Sequence, residues 1–319
     1  MVERRVGRRQ FLKDVGAVVA ATAVATHVAA PRRASGADAR GGLRFGVQTY
    51  PQHTRWPELL PVWQEADELG LDSAFVFDHF IPIRAEPSGP CLEGWTLLSA
   101  LLAKTRRIHG GILVTGNTYR HPAVLAKMAA TVDQVSDGRL ILGMGAGWFE
   151  LEHTAYGIPF HTPGGRARRL VESVEVVKRL FSEPRTTYAG KYYQLKDAPF
   201  EPKGVQRPHP PLLIGGMGPK VVQPLAARHA DVWHFFAPDD PDETRRIIER
   251  FDGLVREAGR EPGAITKAVS LRPPDVTPAR IRSLADAGVG LFILSLSAPF
   301  DRDLLRRFAK DIVPAARAA

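Results

Sequence analysis

Four short stretches of the chain combine residue types that could do chemistry. Asp78-His79-Phe80 sets an imidazole, which titrates near neutral pH, beside a carboxylate that could orient or activate it. The ordinary alternative is a helix-capping Asp next to a packed His. Thr115-Gly116-Asn117-Thr118 offers hydrogen-bonding side chains for a polar ring edge around a glycine that permits positive φ; a plain turn would use the same residues. Gly143-Met144-Gly145-Ala146-Gly147-Trp148 would let a flat or phosphorylated ligand approach the backbone, or serve only as a flexible strand exit. Its spacing is not that of a dinucleotide fingerprint. Gly215-Gly216-Met217-Gly218-Pro219-Lys220 opens a helix, where free N–H groups, the helix dipole and Lys220 could cradle a phosphate.

The elements around these stretches alternate. Apolar runs at 45–50, 74–77, 108–115, 140–144, 212–214, 232–236, 265–271 and 291–296 predict strands. Helical stripes at 57–69, 95–102, from Pro122 to the Asp137-Gly138 stop, 168–181, 221–229, 242–258, 279–287 and 303–312 predict the helices between them. Residues 186–194 read as a small hairpin, followed by a Pro-rich connector over 199–211. Eight strand–helix units with continuous apolar strands predict a (β/α)₈ TIM barrel of the α/β class with insertion segments, spanning 41–319; an open doubly wound sheet is the alternative. In a barrel, loops after the strands carry the chemistry, and all four stretches follow predicted strands. Trp56, Trp95, Trp148, Phe149, Phe235 and Phe236 lie near the same rim, where most should pack and one or two could wall a flat cofactor.

Composition narrows the alternatives. With 319 residues, 44% apolar and 24% charged, the chain is an ordinary globular protein large enough to bury a core without staples. Cys91 is the only cysteine, which excludes an intrachain disulfide and a cysteine-based metal cluster. Neither a His-x-x-x-His nor a paired-carboxylate metal pattern occurs, and no Gly-x-Ser-x-Gly elbow marks a serine hydrolase. No metal site is expected.

The net charge of +9 is concentrated at one end. Residues 1–40 hold eight Arg and Lys against three acids, whereas the remaining 279 carry only about four net positive charges, weak support for a nucleic-acid partner. Arg8-Arg9-Gln10-Phe11-Leu12-Lys13 precedes a short, soft apolar run over 15–25 and small residues downstream. This is the pattern of a twin-arginine signal peptide, cleaved after Ala30, Gly36 or Ala39, with an amphipathic N-terminal helix as the alternative. The expectation is export of a folded protein by the twin-arginine machinery to the periplasm, envelope or exterior.

Several stretches, in order along 43–300, resemble the luciferase-like flavin and deazaflavin oxidoreductases of the bacterial-luciferase superfamily. They are Gly70-Leu71-Asp72-Ser73 with Asp78-His79-Phe80-Ile81-Pro82; 113–123; Asp137-Gly138-Arg139-Leu140 with 143–148; Ala155-Tyr156-Gly157-Ile158-Pro159-Phe160; and 210–216. Within that family the chain is most similar to the coenzyme F420-dependent branch. The resemblance implies a barrel with an insertion, a deazaflavin across its mouth, and a non-proline cis peptide at the strand-three bulge near Ile112-Leu113. It implies Asp78 and His79 as the cofactor-site pair, His79 as acid/base with Asp78 orienting it or the ring, and Ala146 and Gly147 in the cofactor loop. Ile112, Leu113, Thr115, Asn117, Gly215, Gly216 and Gly218 complete the expected cofactor contacts, and Trp148 and Ile83 the substrate pocket. In the branch's sugar-phosphate dehydrogenases the position of Trp148 is an acidic Glu; Trp cannot act as an acid, so a small apolar or aromatic substrate is expected. Glu150 and Glu152 are expected to face solvent. FMN with monooxygenase chemistry is the alternative to F420, and a non-catalytic exported ligand-binding barrel a further one. The expected assembly is a homodimer.

Overall fold

The computed structural model describes residues 42–318; the expected signal segment, 1–40, lies outside them. Eight parallel strands close into a ring. They are β1 (Arg44–Thr49), β2 (Ser73–Val76), β3 (His109–Ile112), β5 (Leu140–Gly145), β8 (Leu212–Gly215), β9 (Val232–Phe235), β10 (Thr266–Leu271) and β11 (Leu291–Leu296). β1 pairs with β2 and β11, and β3 pairs with β5 to complete the barrel. A two-residue strand, β4 (Thr115–Gly116), continues strand three along β5.

Strand parity separates two apolar cores. On β11, Leu291 and Ile293 face the barrel interior with Phe75, Leu213, Val232 and Ala268, whereas Phe292, Leu294 and Leu296 belong to the larger core under the helices. Both faces are apolar because both are covered, which is why the strands read as continuous hydrophobic runs. Helix Pro122–Val135 begins with proline at its first turn, where no N–H bond is lost, and helix Pro163–Ser182 likewise.

The structure departs from the expected elements in four places. The strand expected over 108–115 is split, and its non-proline cis peptide joins Leu113 to Val114, one residue beyond the expected place. Leu113 N–H still bonds Val76 O at 2.8 Å, so the ladder with β2 runs one residue past Ile112 before the chain steps across to β5. The helix expected at 168 starts at Pro163, because the Thr162 hydroxyl caps it by accepting Gly165 N–H. A short helix, Glu150–Ala155, fills a stretch with no apolar period. The last expected helix is interrupted by a π-turn over Phe308–Ile312.

The insertion hairpin, β6 (Arg185–Ala189) and β7 (Gln194–Pro199), forms its own antiparallel sheet. The Glu172 carboxylate ties it to helix Pro163–Ser182 by accepting the N–H groups of Lys191, Tyr192 and Tyr193.

Candidate active site

A cavity of about 520 Å³ opens at the C-terminal ends of the strands, the end where barrel loops assemble sites. Its deep edge is shaped by Val114. A Cβ on Gly145 would lie 2.5 Å from Val114 Cγ2 and one on Gly215 would lie 2.9 Å from Val114 Cγ1. Only glycine lets β5 and β8 pass this wedge. The result is a bare backbone edge where a flat ring can lie close. Gln48 Nε2 donates to Leu113 O at 3.2 Å and Trp95 Nε1 to Thr115 Oγ1 at 3.1 Å, which pins the bulge on both sides.

His79 stands on the rim. Its Nδ1 lies 2.6 Å from Glu152 Oε1, and its ring meets Trp148 and Phe149 edge-on at 5.7 and 5.8 Å between centroids. Among the described residues, Nε2 has no hydrogen-bond partner. Glu152 is fully buried (0% exposed) and also accepts from Phe80 N–H at 2.8 Å and from the Tyr119 hydroxyl. Burial opposes its charge, yet the bonds from His79, Tyr119 and Phe80 outweigh burial and hold the carboxyl below its ordinary value. Burial and Glu152 together push the Tyr119 phenol up. A carboxylate on Nδ1 fixes the Nδ1–H tautomer and leaves the Nε2 lone pair for proton transfer.

The expected orienting role of Asp78 belongs instead to Glu152. Adjacent residues on an extended segment project to opposite sides, so Asp78 turns away from the imidazole. Its carboxylate takes both arms of the Arg120 guanidinium, at 2.6 and 2.9 Å, and Gly116 N–H at 3.3 Å. Arg120 also bonds Glu93. Burial pushes the Asp78 carboxyl up and Arg120 works against that. Burial likewise opposes the Arg120 charge, but Asp78 and Glu93 hold its pKa above the ordinary value. Asp78 is thus a brace for the Thr115–Gly116 segment. Glu150 is exposed as expected, whereas Glu152 is not.

The structure brings most of the sequence-predicted residues together. Asp78, His79, Ile83, Leu113, Thr115, Ala146, Gly147, Trp148, Gly215 and Gly216 all line the cavity. Ile112, Asn117 and Gly218 do not. Ile112 falls on the outward parity of β3 and packs in the core under the helices. Asn117 is enclosed, its N–H bonded to Gly145 O at 3.0 Å. Gly218 is exposed in the turn before helix Val222–His229, so the phosphate cradle expected there reaches the cavity only at Gly215 and Gly216. Of the rim aromatics, Trp148 (59% exposed) and Phe236 (72% exposed) reach the cavity, while Trp95 and Phe235 are core.

Sequence reading missed three residues: Glu152, Arg120 and His234. Arg120 and Glu152 lie 42 and 73 residues from the groups they hold. His234 was hidden inside an apolar strand, although strand parity with Val232 points it inward.

A flat tricyclic ring fits these residues: a glycine edge, apolar walls, and a few polar groups at fixed places. Comparison with known proteins gives the chain its family. The family described as Luciferase-like monooxygenase matches residues 27–305. An F420-dependent glucose-6-phosphate dehydrogenase of Microbacterium testaceum is 33% identical over 220 residues, 68% of this chain and 64% of that protein. Its counterpart in Kineococcus radiotolerans is 38% identical over 233 residues, 72% and 67% of the two chains. The match thus spans about two thirds of the length of these curated relatives. An F420-dependent secondary alcohol dehydrogenase, solved in complex with an F420-acetone adduct, superimposes with a TM-score of 0.76 at 22% identity, over 86% of this chain and 99% of that one. Monooxygenase RslO1 from Streptomyces bottropensis gives 0.70 at 20% identity over 86% and 98%. At these identities the structural likeness speaks for the fold, and with 27–305 of its 319 residues matched, the chain belongs to the luciferase-like monooxygenase family.

Proposed function

We propose that this chain is an F420-dependent oxidoreductase that moves a hydride between the deazaflavin and a small, apolar alcohol or carbonyl compound. The observation that carries the reading is His79, held through Nδ1 by buried Glu152 at the rim of a glycine-edged apolar cavity. The F420-dependent relatives support the cofactor. The cavity walls support the substrate class. Trp148 stands where the resemblance puts an acidic Glu. Arg84, the lining guanidinium, is exposed over the Tyr50 ring at 5.2 Å.

When bound, F420 supplies the hydride chemistry, and the protein supplies position and proton handling. Gly145, Gly147, Gly215 and Gly216, with Leu113 and Val114 behind, would hold the ring. His79 Nε2 takes the hydroxyl proton as an alcohol is oxidised and returns it when a carbonyl is reduced. Glu152, charged and buried, stabilises the imidazolium formed in between. Trp148 and Ile83 exclude water from the reacting carbon.

Titration of the purified protein with F420 and with FMN tests the reading. F420 should bind and support turnover of secondary alcohols or ketones. FMN binding with no F420 binding would reverse the assignment to a flavin monooxygenase. Absence of cofactor-dependent turnover across alcohols, aldehydes and enones would leave a ligand-binding barrel.

Export by the twin-arginine route and assembly as a homodimer complete the proposal. The route exports folded cargo, and a ligand bound to the native state adds about 2.7 kcal/mol at one hundred times its dissociation constant. Arg8→Lys with Arg9→Lys should leave an active protein in the cytoplasm, read by cell fractionation. Continued export of the double variant would refute the route.

A further inference from the structure

Across the cavity from His79 stands a second imidazole. β9 is four strands from β2 in the eight-stranded ring, so the two histidines occupy opposite walls. His234 is 6% exposed and lines the cavity. Its neighbours Trp233 and Phe235 pack outward under the helices, whereas Val232, two residues back, faces the barrel interior. Ser270 has the same inward parity on β10, one step beyond Ala268. His234 Nε2 and Ser270 Oγ are 2.9 Å apart. Nδ1 has no hydrogen-bond partner among the described residues. The exposed Phe236 ring meets the imidazole edge-on at 5.7 Å.

A polar couple directly above an apolar layer of Val232 and Ala268 adds little to the fold. Small apolar residues there would continue the layer without the cost of burying polar atoms. We propose that His234 and Ser270 form a second anchor in the cavity, receiving a neutral oxygen at the end of the substrate remote from His79.

The inference rests on the oxidoreductase reading above and narrows its substrate class to apolar molecules with two neutral oxygens, such as diketones, hydroxyketones and diols. Burial pushes the His234 imidazole down to about 4, so at neutral pH it carries no charge to attract a carboxylate or phosphate. A serine hydroxyl either donates or accepts. Ser270 can therefore leave Nδ1 as a lone pair or as an N–H, so the anchor serves a remote hydroxyl and a remote carbonyl equally.

The test uses full-length protein with nitrogen-15 histidine, with and without F420, titrated with cyclohexanone, cyclohexane-1,4-dione and 4-oxocyclohexanecarboxylate. The His234 Nδ1 resonance, assigned by its loss in His234→Phe, should move with the dione and stay still with cyclohexanone. The dione should bind roughly threefold to tenfold tighter than cyclohexanone, as one added hydrogen bond implies. His234→Phe and Ser270→Ala should abolish that preference and leave F420 affinity unchanged. A still resonance, an equal preference in the variants, or tighter binding of the carboxylate overturns the anchor. Loss of F420 affinity in the variants assigns the couple to the cofactor and also overturns it. If wild-type protein binds no F420, the F420-dependent reading fails, while the titration without cofactor still decides the anchor. Should His234→Phe not fold, His234→Gln supplies the assignment, and Ser270→Ala tests the binding preference.

Discussion

Replacing His79 with alanine should lower turnover with F420 by roughly 10²- to 10⁴-fold, the usual contribution of a positioned acid/base. The ring touches the cavity, and among the described residues the other lining imidazole, His234, stands on the opposite wall. F420 affinity should be largely kept, because the glycine edge and the Leu113–Val114 bulge lie on strands that the substitution does not touch. Glu152→Gln should cost less than His79→Ala. The amide still accepts Nδ1–H but no longer offsets the charge of an imidazolium. Stopped-flow measurement of F420 absorbance separates the chemical step from binding. Unchanged turnover in His79→Ala would remove the imidazole from the reaction.

The second large effect is on stability. Arg120→Met leaves the fully buried Asp78 carboxylate with Gly116 N–H and no cation, a change that typically costs about 3–5 kcal/mol. Urea unfolding followed by tryptophan fluorescence reads the loss. Pairing Asp78→Asn with Arg120→Met should recover much of it, since the penalty comes from an uncompensated charge and not from a missing attraction. Arg185→Met, which breaks the exposed pair with Asp197, should unfold at the wild-type urea concentration. An Arg120→Met midpoint equal to wild type would show that water reaches Asp78.

The barrel was legible because its causes are local. Apolar runs, glycine and proline stops and helical stripes are written within ten to twenty residues, and they recur at the spacing of strand–helix units. Half of the site was legible for the same reason: His79, Thr115, Gly147 and Gly215 lie at or just past the C-terminal ends of strands. The other half depends on contacts made across the fold. Glu152 is on a six-residue helix without an apolar stripe, and it is held by the 78–80 loop and by Tyr119, both distant in sequence. Arg120 sits in a stretch that reads as a turn before helix Pro122–Val135, and its partners come from two other loops. Asp78 looked like the partner of His79 because it is adjacent in sequence, whereas an extended backbone sends neighbours apart.

The Val114 wedge also constrains how this site could change over generations. Any side chain at Gly145 or Gly215 meets a Val114 methyl, and at Gly143 the Ile112 carbonyl oxygen. The three strands are therefore locked to one another: a larger residue at Gly145 or Gly215 becomes tolerable only after position 114 has shrunk, and at Gly143 the backbone oxygen forbids one outright. Single-step divergence at the deep edge is closed off, while Ile83, Trp148 and Phe236 sit on loops with room around them. Lineages descending from such a barrel would keep one ring-binding edge and explore new substrates through the rim.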